Sequence, residues 1–351
     1  MESPSTMPAE IPPTPNIPNG HCLSPTTRAR CLVYARRMYP HEDIHEVSPQ
    51  GFCSYTLRLG QHSILQFRPE SHPIDLDIAA FARHIFGDLV PSIQLLPAPS
   101  PLPLLHIYLM PRLPGLSLAQ THQPPSPSLL LSLARFFALA WSSPSPRSPP
   151  PPNRRIGSSL RPRLSQLHAL LPPRFRPVAA RTLASLADIE ALPWVLTHGD
   201  LIPSNIMVTS SGNGDGAPRL TGILDWAEAE YLPLGVGLYG VEEFLGESRG
   251  GDGGGGKYPP AGSTFGYFGC AAALRAVFWA ELEAAVPLLA ADGGFRESVE
   301  RARVLGLLLW HGFAFDGGRL DRVVCEGRDD EEIQRLDVML LGGGGGVPAA
   351  S

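Results

Sequence analysis

Residues 196–208, LTHGDLIPSNIMV, and residues 222–233, GILDWAEAEYLP, carry the pattern that decides the fold. An apolar strand runs into a tight loop that bears Asp200, and Asn205 follows five residues later at the start of a second strand. A third strand returns and ends on Asp225, twenty residues after Asn205. This hairpin arrangement predicts that the three polar side chains meet at one end of a small sheet.

The chemistry of these three side chains indicates phosphoryl transfer. Two carboxylates and an amide oxygen are hard oxygen ligands of the kind that Mg²⁺ prefers. Phosphoryl transfer needs metal ions on the phosphate oxygens and a residue that positions the attacking hydroxyl. A second carboxylate held apart from the metal could orient that hydroxyl and accept its proton.

The two segments resemble the aminoglycoside phosphotransferase family, a branch of the protein-kinase-like superfamily, and the likeness extends over roughly residues 28–341. The resemblance implies that Asp200 is the catalytic base and that Asn205 and Asp225 ligate Mg²⁺. It implies ATP, with GTP as an alternative, as the phosphoryl donor, and it makes His198 a structural residue of the loop. The closing WHGFAFDGGRLDRVV segment resembles a large, poorly characterised fungal branch of the family.

The fold expected from this resemblance is an α+β, bilobal protein-kinase-like fold. It has a small N-terminal lobe with an antiparallel sheet and a larger, mainly helical C-terminal lobe. Proline-rich and glycine-rich stretches predict disordered ends and flexible insertions. The predicted segments are a disordered N-terminus (1–27), an N-lobe (28–110), a C-lobe (111–341) with insertions near 142–156 and 246–262, and a disordered tail (342–351).

The N-lobe lacks the lysine that the family uses to hold the nucleotide phosphates. The only lysine of the chain, Lys257, follows Asp225 in a glycine-rich stretch. Gln66 and Arg68 are the candidates to replace it, since strand side chains alternate and these two share a face. Arg68 could instead be an exposed charge at a strand end. Its carboxylate partner would be Asp75 or Asp77, with Asp77 preferred by spacing.

The segment predicted to cover the nucleotide is also unusual. QGFCSYT, residues 50–56, contains one glycine where a phosphate-covering loop has several. Hydroxyl donors from Ser54 or Thr56 could still reach a phosphate. IYLMPRLPG lies where the family has its hinge between lobes, which places Met110 beside the nucleotide.

Charge and composition exclude several other classes of protein. The net charge of −5 and pI near 6.1 argue against a nucleic-acid partner. No signal peptide or membrane span is visible, which predicts a cytoplasmic protein without a membrane partner. Five scattered cysteines indicate neither a disulfide framework nor a zinc site.

Three functions remain open at this point. The first is a kinase that phosphorylates a hydroxylated small molecule. The second is a pseudokinase-like regulatory or binding module, favoured by the missing lysine. The third is a scaffold whose Pro144–Pro152 run binds proline-recognising partners.

The substrate is not set by the family name. Four acidic residues that follow Asp225 could meet a cationic amine, and the negative net charge agrees with a cationic substrate. They could equally be helix-face charges or caps. They are Glu228, Glu230, Glu242 and Glu243.

Overall fold

The computed structural model describes residues 23–97, 104–121, 124–145, 156, 159–210, 218–250, 262–316 and 319–342. Most of the predicted disordered N-terminus and nearly all of the predicted tail lie outside these residues, as does most of the Pro144–Pro152 run. Lys257 and the centres of both predicted insertions lie outside them as well.

The N-terminal part is a five-stranded sheet with the order β1-β2-β3-β5-β4, and each neighbouring pair is antiparallel. Two helices accompany it. The first, α1, begins inside the segment predicted to be disordered. The elements are α1 (Pro25–Met38), β1 (Ile44–Glu46), β2 (Tyr55–Leu59), β3 (Ser63–Pro69), α2 (Leu76–Phe86), β4 (Gln94–Leu96) and β5 (Leu105–Pro111).

Alternation along β3 separates the core from the cleft. Leu65 and Phe67 are fully buried in a cluster that α1 covers through Cys31 and Ala35. Arg68 therefore projects from the opposite face, as the strand period requires. Helix α2 packs beside the face of the sheet that carries Arg68. Its buried residues Ile78, Ala82 and Phe86 belong to the core of the C-terminal part.

The C-terminal part is mainly helical, and its described residues form four small antiparallel sheets. Its strands are β6 (Leu116–Ser117), β7 (Trp194–Thr197), β8 (Ile206–Ser210), β9 (Pro218–Ile223), β10 (Glu230–Pro233), β11 (Gly246–Arg249), β12 (Thr264–Tyr267), β13 (Phe313–Asp316) and β14 (Arg319–Val323). Its helices are α3 (Leu118–Thr121), α4 (Pro127–Trp141), α5 (Leu160–Leu170), α6 (Arg176–Ala184), α7 (Leu186–Glu190), α8 (Tyr239–Phe244), α9 (Ala271–Ala285), α10 (Pro287–Ala291), α11 (Gly293–His311) and α12 (Asp330–Leu341).

One large apolar core joins these helices to the strands that carry the site. Aromatic contacts fix the junction between the two parts: Phe86 of α2 lies 4.4 Å from Phe136 of α4 and 5.2 Å from Trp226, measured between ring centroids. Trp226 directly follows Asp225, so this packing determines where the Asp225 backbone sits. The α+β class, with an antiparallel N-terminal sheet and a helical C-terminal part, is as predicted.

Two local predictions were wrong. Strand β7 pairs with β10, whereas β8 and β9 belong to a sheet with β6, so the predicted site lies between two small sheets and not at the end of one. Gly246–Arg249, assigned to a flexible insertion, forms β11 and pairs with β12. Its glycine is required because Phe265 of β12 crosses the Gly246 backbone too closely for a side chain.

In the described part of the chain, the helices are too short or too polar to cross a bilayer.

Helix α11 packs closely against the segment before α8, and this contact requires glycine at position 306. A Cβ at this buried position would overlap the carbonyl oxygen of Val236. We expect Gly306→Ala to lower the free energy of unfolding by about 2–3 kcal/mol, although alanine normally stabilises a helix. Gly293→Ala, at the open start of the same helix, should be neutral or raise it by about 0.5 kcal/mol. Urea unfolding of both variants checks this, and equal effects would contradict the packing.

Candidate active site

The His198 side chain holds the two motif segments together. Its Nε2 lies 2.7 Å from the carbonyl oxygen of Leu224, and its Nδ1 accepts a hydrogen bond from the backbone N–H of Asp200 at 3.2 Å. Burial lowers the pKa of His198 to about 4, so the ring is neutral, with Nε2 as donor and Nδ1 as acceptor. The ring also meets Trp226 edge-on at 4.7 Å. Its predicted structural role is confirmed.

Glycine is required at position 199, between His198 and Asp200. Its φ of +79° lies in the left-handed region, and a Cβ would overlap the carbonyl oxygen of Glu228. The chain can therefore turn sharply after β7 only with glycine at this position. This turn delivers Asp200 to the cleft.

The ionisation of the Asp200 side chain is strongly shifted in the folded protein. Asn205 Nδ2 donates to both Asp200 Oδ2 and the Asp200 carbonyl, each at 2.9 Å. Burial, and next the negative charge of Asp225, raise the pKa of Asp200 to about 7, although the hydrogen bond from Asn205 acts in the opposite direction. A carboxyl group with this pKa can accept and release a proton near neutral pH.

Asp225 takes an unusual backbone conformation for a residue other than glycine. Its φ is +58° and its ψ is +68°, so the chain leaves β9 in a left-handed turn. Aspartate tolerates this region better than most residues, and strain of this kind concentrates at functional sites. The carboxylate is 44% exposed and faces the cleft between the two parts of the chain.

Arg68 reaches Asp225 from the N-terminal sheet. Its Nη1 lies 3.4 Å from Asp225 Oδ1, and its Nε donates to the carbonyl oxygen of His72 at 2.8 Å. The side chain is only 5% exposed, so the interpretation as an exposed strand-end charge was wrong.

The two aspartates predicted as carboxylate partners of Arg68 lie at the start of α2, and their pairing with Arg68 stays a prediction. Asp75 caps this helix by accepting the N–H of Ile78 at 3.0 Å, and Asp77 is exposed in its first turn. Both side chains serve the start of the helix, because acidic groups there interact favourably with the helix dipole and its free N–H groups. Arg68 contacts Asp225, which the sequence did not predict.

The remaining predicted nucleotide residues line the same side of the sheet or its edge. Gln66 shares the β3 face with Arg68 and donates to Thr56 Oγ1 at 3.2 Å. Ser54 is buried immediately before β2, and Met110 is half-buried in β5. Their roles toward a nucleotide remain predictions.

Three of the four acidic residues offered for a cationic substrate are buried and already in use. Glu230 accepts from the N–H of Ile156 at 3.0 Å, and it is 2% exposed. Glu242 and Glu243 are 2% and 0% exposed and lie against arginines. Only Glu228 of the four is exposed, so the acidic run does not form an open anionic surface.

Sequence reasoning missed Tyr239, which supports the loop that carries Asp200. The backbone N–H of Leu201 donates to its hydroxyl at 2.9 Å, and its ring stacks on Trp310 at 4.8 Å. An isolated tyrosine forty residues downstream gives no signal in the sequence, because the contact depends on how α8 and α11 pack. The support fixes the backbone immediately after Asp200.

The oxygen ligands present fit a magnesium ion that is shared with phosphates. Asn205 uses its Nδ2 for Asp200, which leaves its Oδ1 for a cation, and the Asp225 carboxylate is 44% exposed. The described residues contain no group of three or more His, Cys, Asp or Glu side chains that could hold a metal ion by themselves. Magnesium is usually bound by one or two carboxylates together with substrate phosphates, so this sparse set is suitable.

None of the curated proteins matches the chain. Among solved structures, the GDP complex of wild-type aminoglycoside 2'-phosphotransferase-IIIa is 14% identical with a TM-score of 0.52, and the match covers 81% of this chain and 90% of that one. A point mutant of that enzyme, also with GDP, is 14% identical with a TM-score of 0.51 and covers 81% and 89%. These likenesses show the fold.

The sequence family gives the stronger result. The model of the phosphotransferase enzyme family (APH) matches residues 59–237, half of the chain, from the end of β2 through both motif segments. The matched range includes Arg68, Asp200, Asn205 and Asp225. The chain belongs to this phosphotransferase enzyme family.

Proposed function

We propose that the protein is a Mg²⁺-dependent kinase that transfers the γ-phosphoryl group of ATP or GTP to a hydroxyl of a small molecule. The observation that carries this proposal is the joined geometry of the catalytic loop. Asp200, with its raised pKa, is held by Asn205, and Asp225 faces Arg68 across the cleft. Family membership agrees with it.

In this proposal Asp200 acts on the acceptor hydroxyl. Its Oδ2 is engaged by Asn205, so Oδ1 is the oxygen that orients the hydroxyl and takes its proton as the new P–O bond forms. Most of the catalysis in such a reaction is positioning and electrostatic stabilisation, for which a rigid loop is essential. His198 and Tyr239 provide that rigidity.

The nucleotide phosphates would lie beside Arg68 and the carboxylate of Asp225. Asn205 and Asp225 would hold Mg²⁺, which neutralises charge on the phosphate oxygens. Arg68 supplies the fixed positive charge that a lysine supplies in protein kinases, with its side chain already anchored to the His72 carbonyl. The GDP complexes of the similar aminoglycoside phosphotransferase support a purine nucleotide as the donor.

The second candidate is a binding module without catalysis. It is favoured by one observation: the guanidinium of Arg68 already occupies one side of the Asp225 carboxylate. If that contact persists, it competes with the metal.

We also propose a cytoplasmic protein of the fungal type, on the sequence features alone.

Calorimetric titration with Mg·ATP and Mg·GTP separates the two functions. A kinase should bind at least one nucleotide only with Mg²⁺, and Asp225→Ala should weaken that binding about tenfold or more, because a charged ligand of the metal is lost. Asp88→Ala, an exposed surface carboxylate, is the control. Binding that ignores both Mg²⁺ and Asp225 would support the regulatory module.

Asp200→Asn should separate activity from stability. The raised pKa means that the folded state binds the proton more tightly than the unfolded state, so wild-type stability falls as pH rises toward 7. The variant lacks this loss of stability, because asparagine does not ionise. In metal-free buffer above pH 7 we expect it to be more stable by about 1–2 kcal/mol, with turnover abolished.

Urea unfolding from pH 4 to pH 8, beside a phosphoryl-transfer assay, checks both effects. A variant that turns over normally would refute the role of Asp200 as base. A variant with the same pH dependence of stability as the wild type would refute the raised pKa.

A further inference from the structure

The loop between β1 and β2, residues 47–54, touches the C-terminal part of the chain through an aromatic pair. Phe52 lies in this β1–β2 loop, and its ring meets the ring of Phe315 on β13. The ring centroids are 5.2 Å apart and the planes are inclined by 82°, an edge-to-face arrangement. Pairs of this geometry are favourable beyond the apolar area that they bury. The segment predicted to cover the nucleotide is therefore held directly by the C-terminal part.

Gln50 fixes the base of the β1–β2 loop. Its Nε2 donates to the carbonyl oxygens of Val47 and Thr56 at 2.7 and 2.9 Å, and its Oε1 accepts the N–H of Thr56 at 2.8 Å. The Thr56 hydroxyl accepts from Gln66, on the face of β3 that also carries Arg68. The loop is thus attached at its base to the predicted nucleotide face of the sheet, and its other attachment is the ring of Phe52.

Strand β13 is built in a way that presents Phe315 to this loop. The pairing of β13 with β14 shifts register between Ala314 and Phe315, and bulges of this kind re-aim a side chain. Ala314 is buried, whereas Phe315 is 45% exposed. Arg322 of β14 donates to Asp316 at 2.7 Å and to Asp329 at 2.7 and 2.8 Å. These contacts anchor the strand on both sides of the exposed ring.

Strand β13 also starts beside the support of the loop that carries Asp200. Trp310, three residues before β13, stacks on Tyr239, whose hydroxyl accepts the N–H of Leu201. Leu201 directly follows Asp200. A continuous set of contacts therefore runs from the loop of the predicted base, through the end of α11 and β13, to the β1–β2 loop.

We infer that Phe315 is a positioning residue that clasps the β1–β2 loop over the nucleotide. The inference rests on the proposed kinase function and names a residue that controls how that site holds its nucleotide. The loop is closed while Phe52 and Phe315 are in contact, and it opens when the rings part. A loop ordered in advance loses less entropy when the nucleotide binds, and a closed loop slows its release. Phe315 belongs to the WHGFAFDGGRLDRVV segment, to which the sequence assigned no role in the reaction.

A clasp and an incidental surface contact predict different effects of Phe315→Ala. Loss of an incidental contact changes stability slightly and leaves the β1–β2 loop as it was. Loss of a clasp opens that loop, although Phe315 lies near the other end of the chain. Its effect on the nucleotide also disappears when Phe52 is already absent, because residues in contact are not additive.

The first measurement uses the protein without nucleotide. Cys53 is next to Phe52 and half-buried, so its rate of alkylation by iodoacetamide reports the opening of the loop. Peptide mass spectrometry separates Cys53 from the other four cysteines. We expect Phe315→Ala to raise the rate at Cys53 about two- to tenfold, which is the contribution of one aromatic pair.

The second measurement is the dissociation rate of fluorescent Mg·ATP and Mg·GTP analogues, followed by stopped flow. Phe52→Ala and Phe315→Ala should each speed dissociation about two- to tenfold, and the double variant should be no faster than either one.

Two variants serve as controls for both measurements. Phe315→Tyr keeps the ring and should behave as the wild type does. Phe81→Ala removes a phenylalanine that is 52% exposed on α2, and it should change neither rate. Thermal unfolding of each variant shows that the fold is retained.

The clasp is overturned if alkylation of Cys53 is as slow in Phe315→Ala as in the wild type, or if Phe81→Ala has an equal effect. It is also overturned if the two alanine substitutions multiply in the double variant, or if neither changes nucleotide dissociation. A wild-type protein that binds neither nucleotide would instead overturn the kinase proposal and with it the effect on the nucleotide. The alkylation rates do not depend on nucleotide, so the two failures are distinguishable.

Discussion

A neutral imidazole between two loops is the interaction on which the site depends. His198 receives the N–H of Asp200 on one ring nitrogen and donates to the carbonyl of Leu224 with the other. Both bonds are satisfied together only in the neutral form, and burial keeps the ring in that form. One side chain thus fixes the distance between the loop that carries Asp200 and the turn that carries Asp225. A protonated ring would have to donate from Nδ1 toward an N–H group, which would break the arrangement.

The carboxylates of Asp200 and Asp225, which His198 holds close together, need a positively charged partner. Asp200 and Asp225 repel each other in a partly buried place, which is one reason why the pKa of Asp200 rises. Arg68 offsets part of the charge on Asp225 at 3.4 Å. An arginine can do this while its Nε stays bonded to the His72 carbonyl, whereas the single ammonium of lysine cannot make both contacts along a rigid fork. The substitution therefore changes how the N-terminal sheet is attached to the site, as well as which cation meets the phosphates.

The sequence predicted the parts of the site that are close together along the chain. Asp200, Asn205 and His198 lie within eight residues, so their mutual contacts follow from local loop chemistry. The partner of Arg68 was missed because 157 residues separate it from Asp225, and spacing along α2 cannot report a contact across the cleft. The pairing of β7 with β10 was missed for the same reason, since the sequence pattern of an apolar strand does not show which neighbouring strand it pairs with.

The acidic run after Asp225 shows how composition can mislead about recognition. The chain carries a net charge of −5, and four glutamates follow the motif, which together favour a cationic substrate. Recognition depends on charges that remain after folding, and Glu242 and Glu243 are matched or exceeded by arginines from α9, α11 and α12. Those arginines lie 33 to 92 residues away along the chain, so no local pattern reveals them. Because an ion pair in a low-dielectric interior cancels most of its own field, glutamates that fold against buried arginines contribute little to the charge that a ligand would meet.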